Sequence, residues 1–247
     1  MKNSGNTILL TGGGSGIGQA MAQRWADNGN TVIVAGRSAG NLAETAEGHP
    51  SIHAMTLDVT DPADIARFAA EVLARFPALN VLVNNAGIMR VEDLTGARDL
   101  ADAEATITTN LFGPIRMIDA LVEHLSGQPD AAIVNVSSGL AFVPLPKTPT
   151  YSATKAGLHS YTVALRKQLE GKIELIEVIP PGVQTELTPG QSTREGYLPL
   201  DTFIEQTMSQ FETGNPPAEV CVPAVRLLRD AEAEGHYDEV LDRLASM

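Results

Sequence analysis

Short, continuously apolar runs alternate with longer stretches of mixed polarity along the first 180 residues of the chain. Residues 8–10, 31–35, 53–57, 81–83, 132–136 and 175–179 are mostly β-branched or aliphatic and bounded by turn residues, with His53, Asn135 and Glu177 as the polar exceptions. They lack polar alternation, which suits strands buried on both faces of a parallel sheet. Between them, residues 18–28, 41–47, 62–76, 100–125 and 151–169 are rich in Ala, Leu and charged side chains, over lengths that suit helices. Asp61-Pro62 supplies a capping carboxylate and a residue fitted to the first helical turn, and Asn28-Gly29 supplies a helix end. The alternation predicts right-handed βαβ units. The expected fold is α/β: a doubly wound, mostly parallel sheet with helices on both faces. No repeat, low-complexity tract or linker interrupts the pattern, so residues 1–247 read as one domain.

Residues 186–217 break the rhythm. Pro189-Gly190, Gly196, Pro199 and the run from Gly214 to Pro217 surround one helix-like piece, residues 201–212. An irregular insertion after the last buried strand, where ligands bind in such sheets, reads as a substrate lid.

Composition narrows the function classes. With 43% hydrophobic residues the chain can bury a sizeable core. A formal charge of −13 argues against nucleic acid and anionic membrane surfaces as partners. The single cysteine, Cys221, excludes an intramolecular disulfide and a Cys-rich zinc site, and the histidines show no HExxH-like spacing, so no metal is expected. No apolar run is long enough for a membrane span and the first residues do not resemble a leader, so the expected location is the cytoplasm.

Two local patterns carry chemistry. The loop Thr11-Gly12-Gly-Gly-Ser15-Gly16-Ile17-Gly18 joins the first strand to the first helix. Its glycines permit close backbone approach, and the helix N-terminus behind them offers N–H groups to a phosphate. The second strand ends in Gly36-Arg37-Ser38, with no acid to take a ribose 2′-hydroxyl. A guanidinium there suits a 2′-phosphate, so NADP(H) is expected over NAD(H). Tyr151 and Lys155 are spaced to share one helical face. An ammonium beside a phenol favours the phenolate, so the pair predicts a lowered tyrosine pKa and a proton donor and acceptor usable near neutral pH.

Six motifs in order resemble the short-chain dehydrogenase/reductase family in its single-domain, Rossmann-fold form. They are the glycine loop, Asp58-Val59, Asn84-Asn85-Ala86-Gly87, Asn110, Ser138 ahead of Tyr151 and Lys155, and Pro181-Gly182-Val183 with Thr185. The stretch from Val136 to Pro144 is similar to a poorly characterised bacterial branch of that family. The resemblance implies an oxidoreductase moving a hydride between nicotinamide and a carbonyl/alcohol pair. Tyr151 would exchange the proton, Lys155 would lower its pKa and bond the nicotinamide ribose, Ser138 would hold the substrate oxygen, and Asn110 would serve a proton relay. Gly12, Ser15, Gly16, Ile17, Gly18, Arg37, Ser38, Asp58, Val59, Asn85, Ala86, Gly87, Tyr151, Lys155, Pro181, Gly182, Val183 and Thr185 would contact the cofactor. Ser137 is the rival to Ser138.

Met89, Leu140, Phe142, Val143 and Leu187 would line an apolar pocket, with Arg90 and Arg194 as the charged exceptions, which favours an uncharged or hydrophobic ketone. The chain after Gly235 reads as helical and lacks the family's terminal glycine-rich strand, so a homodimer through the long helices is expected over a tetramer. Two other readings use parts of the same motif set: a non-catalytic dinucleotide-binding redox sensor, and a sugar-nucleotide epimerase or dehydratase.

Overall fold

A computed structural model describes residues 1–246. The elements run β1 (Thr7–Thr11), α1 (Gly16–Asp27), β2 (Thr31–Gly36), α2 (Ala39–Ala46), β3 (Ile52–Thr56), α3 (Pro62–Arg75) and β4 (Val81–Asn84). They continue through α4 (Ala101–Ile107), a π-helical turn (Thr108–Phe112), α5 (Gly113–Ser126), β5 (Ala132–Val136), α6 (Pro149–Gln168) and β6 (Glu174–Ile179). The remainder is α7 (Leu200–Phe211), β7 (Glu219–Cys221), α8 (Arg226–Arg229) and α9 (Tyr237–Ala245).

The seven strands form one parallel sheet in the order β3-β2-β1-β4-β5-β6-β7. Strands β4 and β5 are buried along their whole length; their aliphatic residues suit this, and the two polar members pair with each other, Asn84 Nδ2 donating to Asn135 Oδ1 at 2.9 Å. One face packs against α1 and α7, with Trp25 and Phe211 edge-to-face at 5.4 Å between ring centroids. The other packs against α3, α5 and α6 through Phe68, Leu121 and Leu165. Strand order reverses direction between β1 and β4, and the crevice this leaves beyond their C-terminal ends is where a ligand fits. No described helix is long and apolar enough to cross a membrane.

Several expectations are corrected. The predicted helix over 100–125 is interrupted by the π-helical turn that carries Asn110. β7 has only three residues, too few to stand out as an apolar run, and owes its strand state to pairing with β6. α7 lies inside the span read as a lid, yet Phe203, Ile204, Met208 and Phe211 are buried in the main core. The surface cover after β6 is therefore residues 186–199. It is pinned by Leu198 N–H donating to the Gly182 carbonyl (2.8 Å) and Gln191 Nε2 to the Val183 carbonyl (2.8 Å).

Candidate active site

The loop after β1 and the turn after β4 interlock. Thr11 Oγ1 accepts from the backbone N–H groups of Asn85 (3.1 Å) and Ala86 (3.2 Å). Asn85 Nδ2 donates back to the carbonyls of Thr11 and Gly12, both at 3.1 Å. Gly12 has φ +69°, and a Cβ there would lie 2.7 Å from Ala86 Cα. At Gly18 a Cβ would lie 2.3 Å from the Gly12 carbonyl oxygen. These two glycines are thus demanded by packing, before any ligand is considered. Helix α1 begins behind them with no side-chain cap and no acid in its first turn. Its leading N–H groups and positive dipole end are left to an anion.

Ser15, Gly16, Ile17, Gly18, Asn85, Ala86, Gly87, Pro181, Val183 and Thr185 line a cavity of about 330 Å³ over that helix end. A neighbouring cavity of about 290 Å³ is walled by Arg37, Ser38, Asp58 and Val59, and shares Gly12, Ser15 and Gly87. Arg37 is exposed and makes no ion pair or side-chain hydrogen bond among the described residues. Ser38 caps α2, accepting from Asn41 N–H. Asp58 is held by Thr60, whose N–H (2.9 Å) and hydroxyl (2.7 Å) both donate to Oδ1. Gly182 alone of the predicted cofactor contacts packs elsewhere, beneath the Tyr197 ring.

The reacting groups meet where the first cavity joins a third. α6 places Tyr151 and Lys155 one turn apart, 7% and 4% exposed. Ser138 follows β5 and caps a short 3-10 turn, its Oγ accepting from Leu140 N–H at 3.1 Å. Burial pushes the Tyr151 phenol up to about 12, against a lowering hydrogen bond with Ser138. Burial also pushes Lys155 down to about 8, against the raising influence of Glu177. The expected lowering of the tyrosine pKa by the lysine is absent here. Lys155 Nζ donates to the Val136 carbonyl at 2.8 Å and stands 5.6 Å from the phenol ring centre, and desolvation outweighs its field.

Asn110 is fully buried. Its Oδ1 accepts from Ile88 N–H (2.9 Å) and its Nδ2 donates to the Ile88 carbonyl (2.8 Å), so the π-helical turn locks the irregular segment that follows Gly87. A Cβ on Gly87 would be 3.4 Å from Asn110 Oδ1 and 3.7 Å from Lys155 Nζ, which places both groups beside one glycine. Ser137, the rival serine, is buried on the same cavity wall with its hydroxyl unpartnered. An orphaned hydroxyl, an uncapped helix end and an unpaired guanidinium are together what a phosphate-bearing dinucleotide would satisfy.

The third cavity, about 230 Å³, holds Ser138 and Tyr151 together with Met89, Leu140 and Leu187. Phe142 and Val143 do not line it. Phe142 packs on His159 (4.7 Å) beneath the Arg229 guanidinium (4.5 Å), and Val143 is fully buried against Ala231 and Val240. Their places are taken by Leu227 and Leu228 at α8 and Val240 and Leu244 on α9. The heptad-like spacing of Val240 and Leu244 marks an amphipathic helix in sequence, but nothing local says which cavity it covers. Gly14, Asn41, Thr60, Ile88 and Thr109 are further lining residues that the motifs do not name. Elsewhere, donor atoms of His159, Glu177 and Glu219 lie within 4.8 Å of one another. His159 already pairs with Glu177 (2.8 Å) and Glu219 with Arg229 (2.7 Å), so the cluster is an ion-pair network.

The profile of the short chain dehydrogenase family matches residues 6–196. The uncharacterized oxidoreductase DltE of Bacillus subtilis (strain 168) is 39% identical over 248 residues, covering 99% of this chain and 98% of its own. A short chain dehydrogenase from Burkholderia cenocepacia J2315, solved with NADP, is 25% identical with a TM-score of 0.82 and 99% of each chain covered. The 3-ketoacyl-(acyl-carrier-protein) reductase of Brucella melitensis, solved with NADH, is 26% identical with a TM-score of 0.77, covering 90% of this chain and 95% of that one. Fold, site geometry and similarity over nearly the full length agree: the chain belongs to the short chain dehydrogenase family of oxidoreductases.

Proposed function

We propose that the protein interconverts a carbonyl and an alcohol with NADP(H) as hydride carrier, on a substrate with a hydrophobic body. The observation that carries this reading is the convergence of Ser138, Tyr151 and Lys155 at the junction of a phosphate-suited cavity and a largely apolar one. The bound nicotinamide supplies or removes the hydride. The α1 N-terminus and glycine loop would hold the pyrophosphate, Asp58 and Val59 would flank the adenine side, and Arg37 would clamp the 2′-phosphate.

In the reductive direction Tyr151 and Ser138 donate hydrogen bonds to the substrate oxygen as negative charge builds there. Tyr151 then gives up its proton. At about 12 the phenol stays protonated through the whole working range, which suits the donor role. Lys155, the nearest cation, stabilises the phenolate formed in that step. Asn110 fixes Ile88 and retains an Oδ1 lone pair on the lysine side for a proton relay to solvent.

Subunit pairing is proposed through α4, the π-helical turn and α6. Ile107, Phe112 and Val163 are 36%, 47% and 42% exposed there, an apolar strip that a two-fold partner would cover. Light scattering of the purified protein at twice the monomer mass is the expected result.

Oxidation of NADPH across a panel of alkyl and aryl ketones tests the catalytic reading. Turnover of at least one member is expected. Tight NADPH binding with no turnover by any member would replace the enzyme reading with the redox-sensor one.

A further inference from the structure

All but two of the arginines hold a partner among the described residues: an acid, a backbone carbonyl or an aromatic ring. The exceptions are Arg37 and Arg243, and each lines a cavity. Arg37 stands where a 2′-phosphate would lie. Arg243 stands on the wall of the cavity that holds Ser138 and Tyr151.

Among the described residues Arg243 is the only charged side chain lining that cavity. The other polar groups there are spoken for in part: Gln191 Nε2 donates to the Val183 carbonyl, Tyr197 packs its ring between Gly182 and the Arg194 guanidinium, and Ser138 and Tyr151 form the proposed reacting end. The rest of the wall is mostly aliphatic. Helix α9 is fixed by Val240, buried with Val143 and Ala231, so the position of Arg243 is set by packing. Glu239 lies one turn earlier, in the order that favours an i, i+4 ion pair on a helix, yet no such pair forms. Arg243 is exposed, has no partner among the described residues, and lines the same cavity as the groups that would hold the carbonyl. In a chain with a formal charge of −13, a lone cation is the single feature of this pocket that attracts an anion.

We propose that Arg243 recognises an anionic terminus on the substrate. The compounds taken are then oxo- or hydroxy-compounds with an aliphatic body and an acidic end, where the amino-acid motifs alone favoured an uncharged ketone. The inference rests on the carbonyl/alcohol reading of the site for the reacting end, and on Arg243 for the other end.

Two measurements separate the parts. The first is the ratio of kcat/KM for an oxo-octanoate to that for the matching oxo-octanamide, in wild type, Arg243→Gln and Arg243→Lys, with NADPH. The wild type should prefer the acid about tenfold, the scale of a partly solvated charge-assisted contact. Arg243→Gln should erase the preference through KM, and Arg243→Lys should restore part of it. Raising salt from about 20 to about 300 mM should erode it in wild type only. The second is calorimetric binding of octanoate against octanamide to the NADP-loaded protein, which needs no turnover. Octyl phosphate in the same titration identifies the preferred anion, and either acid binding through Arg243 supports the proposal. Equal kcat/KM for acid and amide in wild type, or a ratio unmoved by Arg243→Gln, overturns it and leaves the reductase reading standing. Arg243-dependent octanoate binding with no ketone reduced supports anion recognition and overturns the reductase reading instead.

Discussion

Replacing Tyr151 by Phe removes one oxygen from a ring that is 7% exposed, so the space it fills is unchanged and no cavity opens. The folded state loses only the phenol's interaction with Ser138, worth at most about 1 kcal/mol net, and recovers part of it by no longer burying a hydroxyl. For a chain of this size that corresponds to a Tm change of at most about 2–4 °C. The chemical loss is far larger. In the proposed mechanism the same O–H would serve as an oxyanion donor, worth about 10²–10³ in rate, and as the proton source, worth about 10²–10⁴. Because one group plays both parts the factors do not multiply, and a loss near 10³-fold in kcat, about 4 kcal/mol, is expected. Ser138 remains as the other donor, which keeps residual activity above zero. Stopped-flow or steady-state NADPH absorbance on a ketone accepted by wild type gives kcat, and NADPH fluorescence gives Kd. Kd should stay within about twofold, because no cofactor contact assigned to the glycine loop or to Arg37 is touched. A kcat above one-tenth of wild type with Kd unchanged would refute the proton role. A parallel loss of NADPH binding would recast Tyr151 as a structural residue.

Three further outcomes follow from the geometry. Arg37→Asp should lower kcat/KM with NADPH by about 10–100-fold and favour NADH, because it removes a charge-assisted contact and supplies the missing acid; an unmoved cofactor ratio would show that the unpaired guanidinium has no part in selection. Reductive kcat/KM should hold steady near neutrality and fall as pH rises through about 8, because Lys155 loses its proton there while Tyr151, at about 12, keeps its own. A profile flat to about pH 10 would sink the electrostatic role of the lysine. Phe203→Ala should cost about 3–5 kcal/mol in urea unfolding, since its ring is fully buried between sheet and α1; a cost under about 1 kcal/mol would return α7 to the mobile cover.

The strand order of chemistry was legible because its causes are local. Short, mostly apolar runs bounded by turn residues and alternating with helix-length stretches suit buried parallel strands. Tyr151 and Lys155 share a face because helical pitch requires it, and the glycine loop sits where one strand meets one helix. Phe142 and Val143 show the limit. Both follow Ser138 closely and are apolar, which made them pocket candidates, yet one stacks on His159 and the other packs under α9. The direction a side chain takes after a tight turn depends on what arrives from elsewhere in the chain. The burial of α7, though not its helicity, was hidden for a related reason: a helix flanked by Pro and Gly resembles a surface excursion until the face it buries is known.

By itself, then, the amino-acid sequence determined the βαβ succession, the glycine loop between the first strand and first helix, and the Tyr151–Lys155 pair on one helical face, all of which depend on neighbours within a few residues. The tertiary structure alone decided the pocket wall contributed by α8 and α9, the placement of Arg243 on it, the π-helical lock at Asn110 and the sign of the Tyr151 shift. Each of those depends on contacts between distant segments and on the loss of water they cause, and desolvation is a property of the assembled fold.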